Sequence, residues 1–483
     1  MLADLNVLLL TVDSLRADAV IGSANRIVDE SASPVLTQFA EDALVFLAAY
    51  SQGPYSSCAI SSLLTGRYPR FSMIPPRILR PDRPTIAEAV QRSGYATIGL
   101  HSNPLLSGQF GYDRGFEDFD ESILPRGWAR VQSAVPWRVS YWLSKGLRVL
   151  TKRPYLDAYG MNKKALGLLS SVDQPWFMWI HYMDVHGPYQ SHGRANWFDK
   201  WRSERLWRKA LTQPELITAG DLGRLLAGYQ EEIAYWDSQF GILLDALDKM
   251  NLLESTVIIV TSDHGEEFSE HGEFAHLRKL YDELLHVPLI VRIPGQQGQV
   301  VPEQVGHIDI MPTVLELARV PLDGYELDGH SLLSLIGGGP PGPFADRCLI
   351  ADATPDRAVD RVAARTARWK YIYDEIESRE YLFDLQADMG EQRNVVDQVD
   401  RTIVEPLKAT VMEYLSCPRG LESAVEADVA STEAAQVDEE VIRRLVALGY
   451  IEDAHEMRRS SSGASSIMPR KADRSSATSE PSE

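Results

Sequence analysis

Five short segments of this chain are apolar on both faces: 6–12, 96–100, 176–180, 257–261 and 288–293. A strand with no polar face must be covered on both sides, and the stretches between these runs are long enough to hold crossover helices. The pattern therefore predicts an α/β fold, a central mixed and mostly parallel sheet between two helical layers. Its longest helix is expected over 221–250, where Leu222, Leu225, Leu226, Tyr229, Ile233, Trp236, Phe240, Leu243, Leu244 and Leu247 recur at helical spacing. A shorter helix is expected over 85–93.

The run Gly337-Gly338-Gly339-Pro340-Pro341-Gly342-Pro343 sustains neither helix nor central strand and is the strongest boundary signal. Beyond it, strands over 369–373 and 381–385 and a helix over 405–415 predict a small α+β domain, followed by an amphipathic helix over 439–448. From about Met457, Ser, Arg and Glu dominate, and too few apolar side chains remain to offset the entropy of ordering. The expected division is a large domain over 1–336, a small domain with its terminal helix over 344–453, and a disordered tail over 454–483. The segment 127–155, rich in Trp, Tyr, Arg and Lys, reads as a helical insertion packed on the core, with a membrane-surface or partner-binding helix as the other reading.

Composition excludes some functions. With 48 Lys+Arg against 68 Asp+Glu the formal charge is −20, so no basic surplus exists to release phosphate counterions and nucleic acid is not an expected partner. Three cysteines, Cys58, Cys348 and Cys417, make no disulfide framework, which suits a reducing compartment. The apolar run near the N-terminus follows no basic segment and is too short for a signal or membrane helix, so no transmembrane segment and a cytoplasmic location are expected. The sequence carries no signal for a particular oligomeric state.

The chemistry sits at strand ends. Leu8-Leu9-Leu10-Thr11-Val12 ends in Asp13, and Val257-Ile258-Ile259-Val260-Thr261-Ser262 ends in Asp263-His264-Gly265. In open α/β sheets ligands bind beyond the carboxyl ends of strands, so two carboxylates and an imidazole are candidates to share a metal ion. A lone Asp after a strand commonly caps a turn; Asp-His-Gly after a wholly apolar strand is harder to assign to a turn. A Gly53-Pro54 loop then leads into small hydroxyl residues and a short apolar helix ending at Gly66. Ser56 or Ser57 thus lies at a helix N-terminus, where the positive end favours an alkoxide and an incoming anion. Histidines follow other strand ends, in Asp184-Val185-His186-Gly187-Pro188-Tyr189 and in Glu270-His271-Gly272-Glu273-Phe274-Ala275-His276, as expected of groups that move protons near neutral pH.

Taken in order, these segments resemble the sulfatase family of the alkaline-phosphatase superfamily, from about Asn6 to Glu452. The resemblance is carried by the strand ending in Asp13-Ser14-Leu15-Arg16-Ala17-Asp18, by Leu63-Leu64-Thr65-Gly66-Arg67-Tyr68-Pro69, and by Ser262-Asp263-His264-Gly265-Glu266. It continues through Leu280-Tyr281-Asp282-Glu283, Asp309-Ile310-Met311-Pro312-Thr313, Trp369-Lys370-Tyr371-Ile372 and Leu382-Phe383-Asp384-Leu385. It implies an alkaline-phosphatase-like sandwich with a small C-terminal domain. Asp13, Asp263 and His264 would bind one divalent metal, and counting back from Leu64-Thr65-Gly66 puts Ser56, rather than Cys58, at the nucleophile position. His186 and His276 would serve catalysis by contacting the ester and the leaving group, with His101 and Asn103 in the substrate-binding neighbourhood.

Three departures stand beside this likeness. The family's formylglycine motif, C/S-x-P/A-x-R, is replaced by Ser56-Ser57-Cys58-Ala59-Ile60, which lacks the Pro and the Arg, so the resemblance does not extend to formylglycine formation at Ser56. Ser14 stands where the family has a second Asp, and the family's Lys-x-His pair is absent. The mixed oxygen and nitrogen donors suit Mn²⁺ or Zn²⁺ and tolerate Ca²⁺ or Mg²⁺. The expected activity is metal-dependent hydrolysis of a sulfate ester of a small molecule or carbohydrate. An unmodified serine also fits a phosphodiesterase, phosphomonoesterase or phosphoryl transferase, and the third alternative is a non-catalytic binding protein on the same scaffold.

Overall fold

The computed structural model describes residues 5–20, 32–74, 77–121, 155–173, 175–189, 197–276, 279–353, 361–375 and 377–417. The expected helix over 439–448, the tail and all but Tyr155 of 127–155 lie outside the described residues.

Eight strands form one sheet: β1 Asn6–Val12, β2 Leu44–Tyr50, β3 Ala96–His101, β4 Asp118–Asp120, β5 Trp176–Tyr182, β6 Thr256–Ser262, β7 Leu289–Arg292 and β8 Gln299–Gly306. Their spatial order is β8-β2-β7-β6-β1-β5-β3-β4. All pairings are parallel except those of β7, which runs antiparallel to both β2 and β6. The five apolar runs are five of the six inner strands, β1, β3, β5, β6 and β7, and every residue of β1, β5 and β6 is buried. β2, β4 and β8 were not among those runs. Edge strand β8 carries Pro302 where its register against β2 shifts between Val301 and Gln304, so it reads as polar and broken.

Side chains alternate across this sheet. Leu8, Leu10 and Val12, with Met178, Ile180, Tyr182, Ile258 and Val260, join a core shared with the helical layer on one face. The odd positions Thr11, His181 and Thr261 therefore face the other way, as do Asp13 and Asp263 one step on. The first layer contains α1 Pro34–Glu41, α4 Ala158–Leu169, α5 Trp197–Thr212 and α6 Ala219–Lys249; the second contains α2 Ser56–Thr65, α3 Ile86–Gln91 and α7 Ile310–Leu317.

Helix α6 is the 221–250 expectation, opened by a capping box between Thr218 and Asp221. Leu225, Tyr229, Ile233, Trp236, Phe240, Leu243 and Leu247 are buried along one stripe, while Leu222, Leu226 and Leu244 pack at its margin. Each fully buried member contributes about 1.5–3 kcal/mol. Asp237, buried on α6, accepts from Val35 N at 2.9 Å and Leu36 N at 2.8 Å and so caps α1 from outside that helix.

The C-terminal part is a four-stranded antiparallel sheet, β9 Leu349–Asp352, β10 Arg361–Arg365, β11 Trp369–Asp374 and β12 Arg379–Asp384, with α8 Arg401–Ser416. Val362, Ala364, Tyr371 and Leu382 meet Val404, Leu407, Val411 and Tyr414 of α8. The opposite face, with Ala363, Ile372 and Phe383, packs on Tyr50, Leu280, Leu285 and Ile308. Buried Lys370 joins Asp282 at 2.8 Å and Glu391 at 2.9 Å, so this sheet is tied to the segment that follows the candidate site.

Candidate active site

Because β1 and β6 are parallel and in register, with Val12 opposite Ser262, their carboxyl ends deliver Asp13 and Asp263 to the same level and the same face. The turn after β1 is held from several sides. Ser14 adopts φ 62, a region unfavourable to a side chain, and its N–H donates to Asp263 Oδ1 at 3.1 Å while its hydroxyl donates to Asp13 Oδ1 at 2.8 Å. Tyr229 of α6 donates its hydroxyl to the Ser14 carbonyl at 2.9 Å. The Asp-His-Gly sequence has a local reason too. A Cβ on Gly265 would lie 2.0 Å from the Glu283 carbonyl oxygen, so only glycine fits there. His264 Nδ1 is 2.8 Å from the Gly265 carbonyl, which accepts its proton and leaves Nε2 bare.

That bare nitrogen lies 3.4 Å from Asp263 Oδ2 and 4.0 Å from Asp13 Oδ1. A histidine that sequence reasoning did not select completes the group: His181 of β5 has Nε2 3.4 Å from Asp13 Oδ2, and Asp13, His181 and Asp263 offer ligand atoms within 4.8 Å of one another. The signal for it was slight, a single titratable side chain inside Trp176-Phe177-Met178-Trp179-Ile180-His181-Tyr182. All four residues are fully buried, and Asp263 Oδ2, His264 Nε2 and His181 Nε2 have no hydrogen-bond partner. Buried polar atoms are rarely left so. Donors about 2.1 Å from one ion at a tetrahedral angle, or about 2.4 Å at a right angle, stand roughly 3.4 Å apart, so this cluster fits a divalent cation.

The electrostatics agree. Burial alone would raise the Asp13 carboxyl, but the imidazoles of His186, His181 and His264 outweigh it and hold the group well below its usual range. Burial and the charge of Asp13 push Asp263 up to about 6. Burial and the neighbouring His276 push His264 down to about 3, so it stays neutral and fit to coordinate.

Ser56 opens α2, whose C-cap Gly66 takes φ 66, as the sequence pattern predicts. Its hydroxyl lies 3.4 Å from Asp13 Oδ2 and accepts from Asn103 Nδ2 at 3.0 Å; the same amide donates to Asp13 Oδ2 at 3.2 Å. Asn103 is aimed by its own Oδ1, which caps the turn at Leu105 N at 3.0 Å. Cys58 is buried against Gly53, where an added Cβ would approach its Cβ to 2.4 Å. Of the residues weighed at this helix end, Ser56 is the one seen beside the acids.

The His276 ring lies tilted at 4.3 Å from that of His264 and edge-on at 5.0 Å from that of His186. Its Nδ1 is 3.1 Å from Glu266 Oε1, and Glu266 Oε2 accepts from Tyr189 at 3.2 Å. Burial opposes a charge on His276, but Glu266 outweighs it and raises the pKa. Glu266, carried within the Asp263 motif, received no role from sequence reasoning. His186 Nδ1 lies 2.5 Å from the Gly187 carbonyl, and Gly187 packs directly against Trp207 of α5. His101 lies against the rings of Phe119 at 4.9 Å and Trp179 at 6.1 Å, one strand from His181; Asn103 is the member of that pair seen to reach Ser56.

A sheet that gathers acids and imidazoles at its carboxyl edge, opposite a hydroxyl on a helix N-terminus, is the framework of the alkaline-phosphatase superfamily of ester hydrolases. The sulfatase family model matches residues 5–320, and the model described as N-sulphoglucosamine sulphohydrolase, C-terminal, matches 269–416. The chain belongs to the sulfatase family. It is 25% identical over 457 residues to a choline-sulfatase of Rhizobium meliloti (strain 1021), covering 84% of this chain and 86% of that protein. It is 27% identical over 453 residues to arylsulfatase K of Gallus gallus, covering 85% and 82%. Its fold also matches the crystal structure of phosphonate monoester hydrolase of Agrobacterium radiobacter, with a TM-score of 0.66 and 21% identity over 86% of this chain and 96% of that one. Among the described residues no helix is long and apolar enough to cross a membrane.

Proposed function

We propose that this sulfatase-family chain hydrolyses a small-molecule or carbohydrate sulfate ester at the site built by Asp13, Asp263, His264 and Ser56, with the large domain over 1–336 as the catalytic unit and 344–453 as its smaller companion. The observation that carries the reading is the Ser56 hydroxyl beside the Asp13 carboxylate, in a cluster whose bare Nε2 and Oδ2 atoms fit a cation. Asp13, Asp263 and His264 would hold a divalent ion, which when bound would supply Lewis acidity at this site. Asn103 fixes the Ser56 oxygen, and the N-terminus of α2 favours negative charge on it.

Ser56 Oγ, giving up its proton to Asp263, the acid of the pair whose pKa is raised, attacks sulfur in line with the ester oxygen. The S–O bond to the alcohol breaks, and His276, charged through Glu266, protonates the departing oxygen, with His186 beside it holding the ester. Water, giving a proton back to His276, then attacks the sulfur of the serine sulfate; the S–O bond to Ser56 breaks, Oγ recovers its proton from the carboxylate, and sulfate is released. The same nucleophile suits a phosphonate or phosphate ester, the second reading, which the missing Pro and Arg after Ser56 favour.

The test is turnover of 4-nitrophenyl sulfate against the phosphonate monoester 4-nitrophenyl phenylphosphonate, the phosphate monoester 4-nitrophenyl phosphate and the diester bis(4-nitrophenyl) phosphate, with peptide mass analysis across Ser56 on the same sample. Sulfate release that depends on added divalent metal and is abolished in Ser56→Ala supports the sulfatase mechanism. Turnover of the phosphorus esters alone moves the assignment to the second reading, and none with any metal leaves a binding protein.

A further inference from the structure

Ser14 brings no carboxylate to the site, because its short hydroxyl is spent on Asp13 Oδ1 at 2.8 Å. The space is not without a donor, since His181 approaches from β5 on the other side of Asp13. We propose that His181 replaces the carboxylate that Ser14 cannot supply, that Thr11 and Trp179 hold its Nδ1–H so that a bare Nε2 faces the cation, and that the exchange makes the site prefer Mn²⁺ or Zn²⁺ to Ca²⁺. This rests on the metal-dependent reading above and adds to it a ligand, two positioning residues and an ion preference.

One hydroxyl, that of Thr11, links Trp179 to His181. Trp179 Nε1–H can only donate, and it donates to Thr11 Oγ1 at 3.0 Å. The Thr11 hydroxyl has one proton, with the Ile180 carbonyl 3.5 Å away as acceptor, and a second lone pair that lies 2.9 Å from His181 Nδ1. With Nδ1 as the donor in that contact, Trp179, Thr11 and Nδ1 are all satisfied and Nε2 is left as a lone pair; the other tautomer, with the Thr11 hydroxyl donating to Nδ1 and Nε2–H aimed at Asp13, is open to the metal-free site, where it lowers the Asp13 pKa. Nε2 has no hydrogen-bond partner, though it is fully buried and 3.4 Å from a carboxylate oxygen. A lone pair facing an anion is repulsive unless a cation lies between them.

His264 repeats the design, with Nδ1 tied to the Gly265 carbonyl at 2.8 Å and Nε2 bare. A histidine ligand characteristically donates its second N–H to an oxygen, which fixes both tautomer and ring plane. Two carboxylates with two imidazoles then form the donor set. Imidazole nitrogen binds Mn²⁺ and Zn²⁺ well, whereas Ca²⁺ takes oxygen donors almost exclusively and more of them than this cluster offers. Thr11, Trp179 and His181 alternate along adjacent strands on one face, so the relay is part of the sheet itself.

The experiment uses the full chain, stripped with chelator and titrated with Mn²⁺, Zn²⁺ and Ca²⁺ separately, with pulsed EPR on the Mn²⁺ form to count coupled nitrogens. Wild type is expected to bind one Mn²⁺ at least about tenfold more tightly than Ca²⁺, with two imidazole nitrogens coupled. His181→Ala should remove one nitrogen signal and weaken Mn²⁺ and Zn²⁺ by roughly a hundredfold, with Ca²⁺ affinity changed far less. Thr11→Val, which keeps the ligand and the shape of the strand, should weaken Mn²⁺ by roughly 10–100-fold with both nitrogens retained, so the conclusion survives a His181→Ala protein that fails to fold. One coupled nitrogen in wild type, an unchanged count in His181→Ala, or tighter Ca²⁺ than Mn²⁺ binding would overturn the inference while the site itself stands. Failure of every ion to bind would remove the metal-dependent reading as well.

Discussion

Asp263→Asn separates the cost of confining two acids from the purpose of confining them. Asp263 Oδ1 accepts from Ser14 N at 3.1 Å and His264 N at 2.8 Å, and an amide oxygen accepts both equally well. Oδ2 has no hydrogen-bond partner and lies 3.4 Å from the bare Nε2 of His264, to which an amide N–H can donate. The substitution thus keeps both backbone anchors, gains a hydrogen bond and removes one charge. In the metal-free protein that charge is unfavourable, since burial and Asp13 push the pKa from 3.8 up to about 6. A rise of roughly 2 units at ~1.4 kcal/mol each is on the order of 3 kcal/mol. The native state therefore binds this proton more tightly than the unfolded chain does. Its share of stability is present below about pH 4, falls as pH rises through the interval to about 6, and is absent above it. Denaturant titrations in chelator should find Asp263→Asn more stable than wild type at pH 8 by up to about 3 kcal/mol, with the gap closing toward pH 4. Added Mn²⁺ should raise the melting temperature of wild type and leave that of the variant unmoved. A metal-free variant no more stable than wild type at pH 8, or one with an undiminished Mn²⁺ shift, would refute the argument that the two acids are held together for a cation.

Ser56→Ala should lower turnover by roughly 10⁴–10⁶-fold while elemental analysis still finds the metal, and retained activity would transfer the nucleophile's role elsewhere. Glu266→Gln removes the charge that raises His276, so the alkaline limb of the pH–rate profile should move to lower pH; a limb that stays in place would show that another group protonates the leaving alcohol. Trp236, fully buried and stacked on Phe240 at 5.4 Å, lies in α6 away from the acids. Trp236→Ala should cost about 3–5 kcal/mol in unfolding titrations, and a loss under about 1 kcal/mol would contradict its place in the main core.

Particular elements show where sequence reading succeeds. The strands ending at Asp13 and Asp263, the helix from Ser56 to Gly66 and the stripe along α6 were legible because each depends on spacing within one segment. β8 was not, because an edge strand needs no apolar face and tolerates the Pro302 interruption. The helix at Trp197–Thr212 was hidden by its charged surface, though Trp207 is buried against the loop of His186.

A sandwiched parallel sheet, the acids at two strand ends and a hydroxyl at a helix start follow from local order, since period-two and helical patterns are properties of consecutive residues. Which groups meet is settled in three dimensions: His181, buried near the carboxyl end of β5 like any core residue, stands 3.4 Å from Asp13, and Glu266 faces His276. Those pairings join neighbouring strands far apart in sequence or cross a turn, and which buried group meets which depends on sheet order, register and side-chain direction, none of which a linear pattern records.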